Sequence, residues 1–297
     1  MKKFVIVSDS CCDLNASLRE KYQVDYIPMH FSCEGKEYVA DLDWGDFSVR
    51  EFYDHMRNGK RFITSQVNAA QYKEYFEEKI KEGYDILYIA CSSALSSSVK
   101  ASYLVRDELK EKYPEAKIIC IDSLNSCMGL GLMCIKASEM REEGQSIEEI
   151  SSWIEENKLR FNQECTVDSL KYLKQAGRVS AMSAFFGGLL SVKPIIISDV
   201  NGNNAAVEKV KGKANSINRV VERCVNAYTG EYKQIYAVHA DCEEDLNIFV
   251  AQLKEKLPED VIINTGYIGP IIGASAGPGT IAVYFFGKKV VFDSKKS

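Results

Sequence analysis

Hydroxyl groups are the commonest reactive side chains here, and they collect where apolar runs end. Phe4-Val5-Ile6-Val7 runs into Ser8-Asp9-Ser10, and Ile86-Leu87-Tyr88-Ile89-Ala90 into Ser92-Ser93-Ala94-Leu95-Ser96-Ser97-Ser98. Lys117-Ile118-Ile119-Cys120-Ile121 runs into Asp122-Ser123 and then Ser126. A further pair, Thr64-Ser65, stands in a predicted loop before a helix at Ala69. Hydroxyls and the free N–H groups of a helix start are donors suited to a carboxylate or a phosphate. Helix capping accounts for about one such residue per helix. It does not account for five serines in the seven positions 92–98. A shared pocket beyond the strand ends accounts for them, because that is where open parallel sheets bind ligands.

Catalytic readings of the same residues fail on chain order and spacing. Gly273-Ala274-Ser275-Ala276-Gly277 has the letters of a nucleophile elbow, but Pro278-Gly279 follows, and His30, His55 and His239 all precede the serine. Ser97-Ser98-Val99-Lys100 contains Ser-x-x-Lys without its companion motifs. Gly129-Leu130-Gly131 has Cys134 where a dinucleotide fingerprint needs its third glycine, and there is no Walker loop. The three histidines lack metal-ligand spacing. With no neighbouring group to activate a serine, binding is expected rather than chemistry.

The elements that hold these residues alternate. Short β-branched runs at 4–7, 86–90 and 117–121 read as buried strands. Helices are expected from 13 or 15 to 22, and over 49–58, 69–81, 98–113 and 128–143, with a capping box at Ser146-Ile147-Glu148-Glu149 opening another to about 160. This alternation implies crossover units on a parallel sheet. In the second half, 195–197 and 207–210 flank a turn at Asn201-Gly202 and read as an antiparallel hairpin or meander. Helices over 214–228 and 244–257 and strands at 235–238, 262–263 and 280–286 complete an α/β chain. Two α/β domains are expected, 1–162 with a mainly parallel sheet flanked by helices and 163–297 with a mixed sheet. Gly187-Gly188, within Phe185–Leu190, reads as core or as a narrow apolar slot.

A length of 297 residues suits two domains, and 46% hydrophobic with 27% charged residues is the balance of a globular protein. A net charge of -5 with no basic stripe argues against nucleic acid. The apolar run after Met1-Lys2-Lys3 is too short for a signal peptide, and no stretch is long enough to span a membrane, so the cytoplasm is expected. The ten cysteines lack Cys-x-x-Cys spacing and are expected to be reduced and structural.

Taken in order, these segments resemble the bacterial DegV family of fatty-acid-binding proteins, which includes the acyl-carrying subunit of fatty acid kinase. Ile6-Val7-Ser8-Asp9-Ser10 is similar to the family's opening strand, and Thr64-Ser65-Gln66 to its Thr-Ser-Gln-Pro motif with Val67 for Pro. Segment 92–98 resembles Ser-Ser-Gly-Leu-Ser-Gly-Thr, and Leu173-Lys174-Gln175-Ala176-Gly177-Arg178-Val179 resembles Leu-Lys-Lys-Gly-Gly-Arg-Ile. Lys193-Pro194-Ile195, Glu208-Lys209-Val210 and Gly277-Pro278-Gly279 match further stretches.

The resemblance implies two α/β domains holding a long-chain fatty acid such as palmitate between them, non-covalently. It implies a role in lipid transport or fatty acid metabolism, no catalysis, no metal, and no cofactor beyond the acid. Carried over by motif, the carboxylate falls to Thr64, Ser65, Ser93 and Ser96, with Ser65 and Ser96 the first choices, and to Ser275. Arg178 and Lys211 become head-group or partner contacts, the partner being a fatty acid kinase catalytic subunit. Two positions depart: Ser275 stands where the family's Gly-x-His-x-Gly-Pro-Gly loop has His, and Lys211 where Glu-Lys-Val-Arg ends in Arg. Serine cannot carry a proton near neutral pH as His does, and Lys cannot make a bidentate contact. The alternative expectation is an enzyme acting on a small anionic metabolite in the same serine-rich cleft.

Overall fold

Uninterrupted β-branched runs become the central strands, and the polar turns between them admit helices. The computed structural model describes residues 3–180 and 192–296, so the predicted slot at Gly187-Gly188 lies outside the described residues. Strand β1 (Phe4–Asp9), helix α1 (Ala16–Tyr22) and strands β2 (Val24–Ile27), β3 (His30–Cys33) and β4 (Lys36–Val39) come first. Helix α2 (Val49–Arg57), strand β5 (Ile63–Ser65), helix α3 (Ala69–Lys81), strand β6 (Asp85–Ala90) and helix α4 (Ser98–Lys112) follow. Then come β7 (Ile118–Asp122), α5 (Cys127–Glu142), α6 (Ile147–Asn157), β8 (Phe161–Thr166), α7 (Leu170–Ala176) and β9 (Val179–Ser180). The chain continues through β10 (Val192–Ser198), β11 (Asn204–Lys211), α8 (Lys213–Ala227), β12 (Gln234–His239), α9 (Glu243–Lys256), β13 (Ile262–Tyr267), α10 (Pro270–Ala276) and β14 (Ile281–Phe286).

Strands β2, β1, β6 and β7 form a parallel sheet in that order. Strands β13, β12, β14, β8, β10, β11 and β9 form a mixed sheet, with β10 and β11 the predicted antiparallel hairpin. The capping boxes at Ser48, Asn68 and Ser146 fix the starts of α2, α3 and α6. Helices α3 and α4 cover one face of the parallel sheet, and α8 and α9 cover the outer face of the mixed sheet.

Helix α5 lies between the two sheets, against β1 and β6 on one side and β8 and β14 on the other. Its residues from Cys127 to Ile135 are buried on every face, as an all-round apolar helix must be. Gly131 is required there, since a Cβ would come within 2.5 Å of the Cys12 carbonyl oxygen. On the outer face of the mixed sheet, buried Glu164 receives Arg223 of α8 at 2.6 and 3.1 Å, and Arg223 also reaches Glu208 at 2.6 Å.

Two local expectations are corrected. Thr64 and Ser65 are not in a loop but in β5, paired antiparallel with β3 through Phe31 and His30. Ser275 is in helix α10, not in a glycine loop.

Candidate functional site

One cavity of about 580 Å³ opens beyond the carboxyl ends of the parallel strands, a size typical of small-molecule sites. The segment after β1 supplies Cys11, the segment after β6 supplies Cys91 and Ser93 to Ser97, and the start of α5 supplies Ser126. β5 contributes Thr64 and Ser65, and the opposite wall is Leu173, Gly177, Arg178, Asn204 and α10 with Ile271, Ile272 and Ser275.

The lining is graded. Thr64, Ser93, Ser96 and Ser275 are half-buried, and Ser65 and Arg178 are exposed, so the hydroxyls and the guanidinium occupy the mouth. Cys11, Met29, Cys91 and Ser126 are no more than 2% exposed, and Leu173 and Ile271 are buried, so the inner wall is thiol, thioether and aliphatic except at Ser126. The hydrogen bond with Cys91, together with burial, pushes the Cys11 thiol well above its ordinary range. Cys91, though the bond from Cys11 pulls it down, is raised by burial. Both are therefore neutral at physiological pH and behave as small apolar groups.

Buried polar contacts hold this wall in place. Asp9 Oδ2 accepts the Cys91 N–H at 3.0 Å and the Tyr88 hydroxyl at 3.0 Å, while Oδ1 accepts the Cys11 N–H at 2.9 Å. Ser10 donates to the Ala40 carbonyl at 2.8 Å and accepts the Met29 N–H at 2.9 Å, which sets Met29 against Cys11 with sulfurs 3.6 Å apart. Ser92 donates to the Gly202 carbonyl at 2.8 Å. Thus Ser8, Ser10 and Ser92 are spent on backbone carbonyls, and the first of the hydroxyl-rich segments reaches the cavity through Cys11, not its serines.

Six of the seven sequence-predicted site residues line this cavity, and they differ in how free they are. Ser65 Oγ donates to the His30 carbonyl at 3.3 Å. Ser96 Oγ accepts the Ser98 N–H at 3.2 Å and shares a bond with Ser98 Oγ at 2.9 Å. The hydroxyls of Thr64, Ser93 and Ser275 have no partner among the described residues, and Asp122 pins the Ser93 backbone through a 3.1 Å bond to its N–H. Arg178 is anchored on the Ala176 and Leu95 carbonyls at 2.5 and 3.4 Å. Lys211 is not in the lining: it ends β11, whose first residue Asn204 is, so about 23 Å of strand separates them.

Sequence reasoning missed Met29, Ile271, Ile272 and Asn204 as lining residues. The strand-end rule applied to Cys11 and Cys91 would have found two more, since Cys91 directly follows β6 and Cys11 stands two residues beyond the end of β1. No His, Asp, Glu or Lys is among the described lining residues. Among the described residues no group of three or more His, Cys, Asp or Glu is placed to hold a metal, and no helix is long and apolar enough to cross a membrane.

Comparison with known proteins is consistent along nearly the whole chain. A family model described as "Uncharacterised protein, DegV family" matches residues 3–288. A DegV domain-containing protein of Clostridium perfringens is 39% identical over 289 residues, 97% of this chain and 98% of the relative. Among solved structures, DegV, a fatty acid binding protein from Bacillus subtilis, superposes with a TM-score of 0.82 at 27% identity, covering 97% of this chain and 100% of that one. A DegV lipid binding protein from Thermotoga maritima gives a TM-score of 0.84 at 26% identity, covering 97% and 99%. With its parallel and mixed sheets and the cavity at their junction, the chain belongs to the DegV family.

Proposed function

We propose that this protein binds a long-chain fatty acid non-covalently, with the carboxylate at the cavity mouth and the acyl tail against the inner wall. The observation that carries the reading is the grading of the lining: uncommitted hydroxyls of Thr64, Ser93 and Ser275 beside the Arg178 guanidinium outside, neutral sulfur and aliphatic groups inside. A carboxylate needs charge-assisted donors and stays near water, whereas methylenes gain by leaving it. Fourteen methylenes at ~0.8 kcal/mol each give on the order of 11 kcal/mol gross, before association costs. The tail sets affinity and the mouth sets orientation.

The same reading makes the protein a carrier in lipid transport or fatty acid metabolism rather than an enzyme. It takes the chain as two α/β domains, 1–162 and 163–297, with the acid held between them. Presentation of the acid to a fatty acid kinase catalytic subunit belongs to it too. In that event Lys211 serves as a surface contact for the partner, being too far along β11 to touch the head group. Native mass spectrometry of the purified full chain tests the reading: a bound mass of one long-chain acid is expected, and delipidated protein that takes up no palmitate overturns it.

A further inference from the structure

Among the described residues, Ser126 is the one hydroxyl on the inner wall of the cavity, 2% exposed like its fellow lining residues Cys11, Met29 and Cys91. It occupies the N-cap of α5 in extended conformation (φ -153°, ψ -178°), where a serine normally accepts an N–H of the first turn. Here it makes no capping bond. The Gly129 and Leu130 N–H groups go to the Ser126 carbonyl at 3.1 and 3.4 Å, and the Ser126 N–H goes to Asn125 Oδ1 at 2.9 Å. The hydroxyl is left with no partner among the described residues, in a wall that is otherwise apolar.

Its Oγ opens onto the cavity, and a hydroxyl covered by methylenes without a partner is unfavourable, so it marks a place where a polar atom of the ligand is expected. α5 runs sixteen residues, and the partial positive charge of its N-terminus adds to the attraction for an oxygen. A second carboxylate does not fit this place, because no cation is among the described lining residues apart from Arg178 at the mouth. A neutral oxygen that both donates and accepts does fit.

We infer that the cavity is adapted to a long-chain acid bearing a hydroxyl on its chain, and that Ser126 at the head of α5 is the residue that selects it. This rests on the fatty-acid reading above and adds to it the class of acid preferred. The mouth grips the carboxylate, the sulfur and aliphatic wall takes the methylenes, and Ser126 meets the chain oxygen at one distance from the head group.

The test is titration calorimetry on the delipidated full chain with palmitic acid and with a series of monohydroxylated palmitic acids, the hydroxyl moved along the chain. One positional isomer is expected to bind about tenfold more tightly than palmitate, the worth of one net hydrogen bond. In Ser126→Ala the affinity ratio of that isomer to palmitate falls to near one, and in Ser126→Thr, which keeps a hydroxyl, the preference persists. Palmitate binding with no preferred isomer overturns the inference and leaves the fatty-acid reading intact, and that result needs no variant. A preference that survives in Ser126→Ala also overturns it. Failure of every acid, palmitate included, overturns both.

Discussion

Asp9 accepts the backbone N–H of Cys91 at 3.0 Å across 82 positions of sequence, and this one bond sews the segment after β1 to the segment after β6. With the Cys11 N–H and Tyr88 hydroxyl on the same carboxylate, Asp9 fixes the spacing of two inner-wall thiols without itself lining the cavity.

Replacing Asp9 by Ala therefore leaves two buried donors unmet, the Cys11 and Cys91 N–H groups, while the Tyr88 hydroxyl keeps its 2.6 Å bond with Tyr72. Each such loss costs about 1–3 kcal/mol, so a destabilisation of roughly 2 kcal/mol or more is expected from urea denaturation. A variant as stable as the parent would show that the two donors find water instead.

The mouth hydroxyls divide by whether they are already bonded. Thr64→Val with Ser93→Ala is expected to weaken palmitate binding about ten- to several-hundredfold, through loss of charge-assisted bonds. Ser65→Ala with Ser96→Ala, whose hydroxyls serve His30 and Ser98, changes affinity by less than about fivefold. Calorimetry on the two pairs decides it; the reverse order would restore Ser65 and Ser96 as the head-group ligands.

Asp13 gives a pH dependence. Neither carboxyl oxygen makes a well-aligned hydrogen bond among the described residues, although the Cys127 thiol and the Gly269 N–H lie close enough to pull on it, and a Cβ on Gly269 at the head of α10 would come within 2.2 Å. Burial pushes its pKa from the ordinary 3.8 to about 7, against the pull of the Cys127 thiol and the Gly269 N–H. The native state then holds this proton more tightly than the unfolded chain. Its contribution to stability is full below about pH 4 and is lost as pH rises through 7, up to roughly 4 kcal/mol. Asp13→Asn removes that loss, so the stability of the variant relative to the parent should rise between pH 4 and 8 in parallel denaturation series. Parallel curves would place the Asp13 pKa near its ordinary value.

Glu164 and Arg223 make a pair whose carboxylate is 5% exposed. Arg223→Met strands a buried charge and is expected to cost about 3–5 kcal/mol. Adding Glu164→Gln should recover part of that loss, because the uncompensated charge is gone. Additive losses in a double-mutant cycle would mean that the two groups do not couple.

Legibility from sequence followed the range of the interactions. Strands β1, β6 and β7 and the capping box at Ser146 are written in contiguous residues and were legible. β5 is three residues long and exists because it pairs with β3 more than thirty positions earlier, so nothing local marks Thr64 and Ser65 as extended. α10 carries Gly273 in seven residues and starts at a proline, a composition that reads as a turn until Pro270 is seen at its first position. The pocket at the strand ends was readable from the serines, but which serines are free was not. That depends on carbonyls such as those of His30 and Gly202, delivered by the fold. Met29 reaches the wall through Ser10 and has no signal in its own neighbourhood.

Helix α5, with no polar side to show to water along Cys127–Ile135, cements the two sheets together. Prising them apart would wet one whole apolar side of that helix and the sheet facing it, a penalty a single guest molecule would struggle to offset. Loading and unloading must therefore proceed by small displacements at the rim, in short pieces such as β5, α7 and α10, while the central layers stay shut. Exchange of cargo should accordingly be far faster than global unfolding.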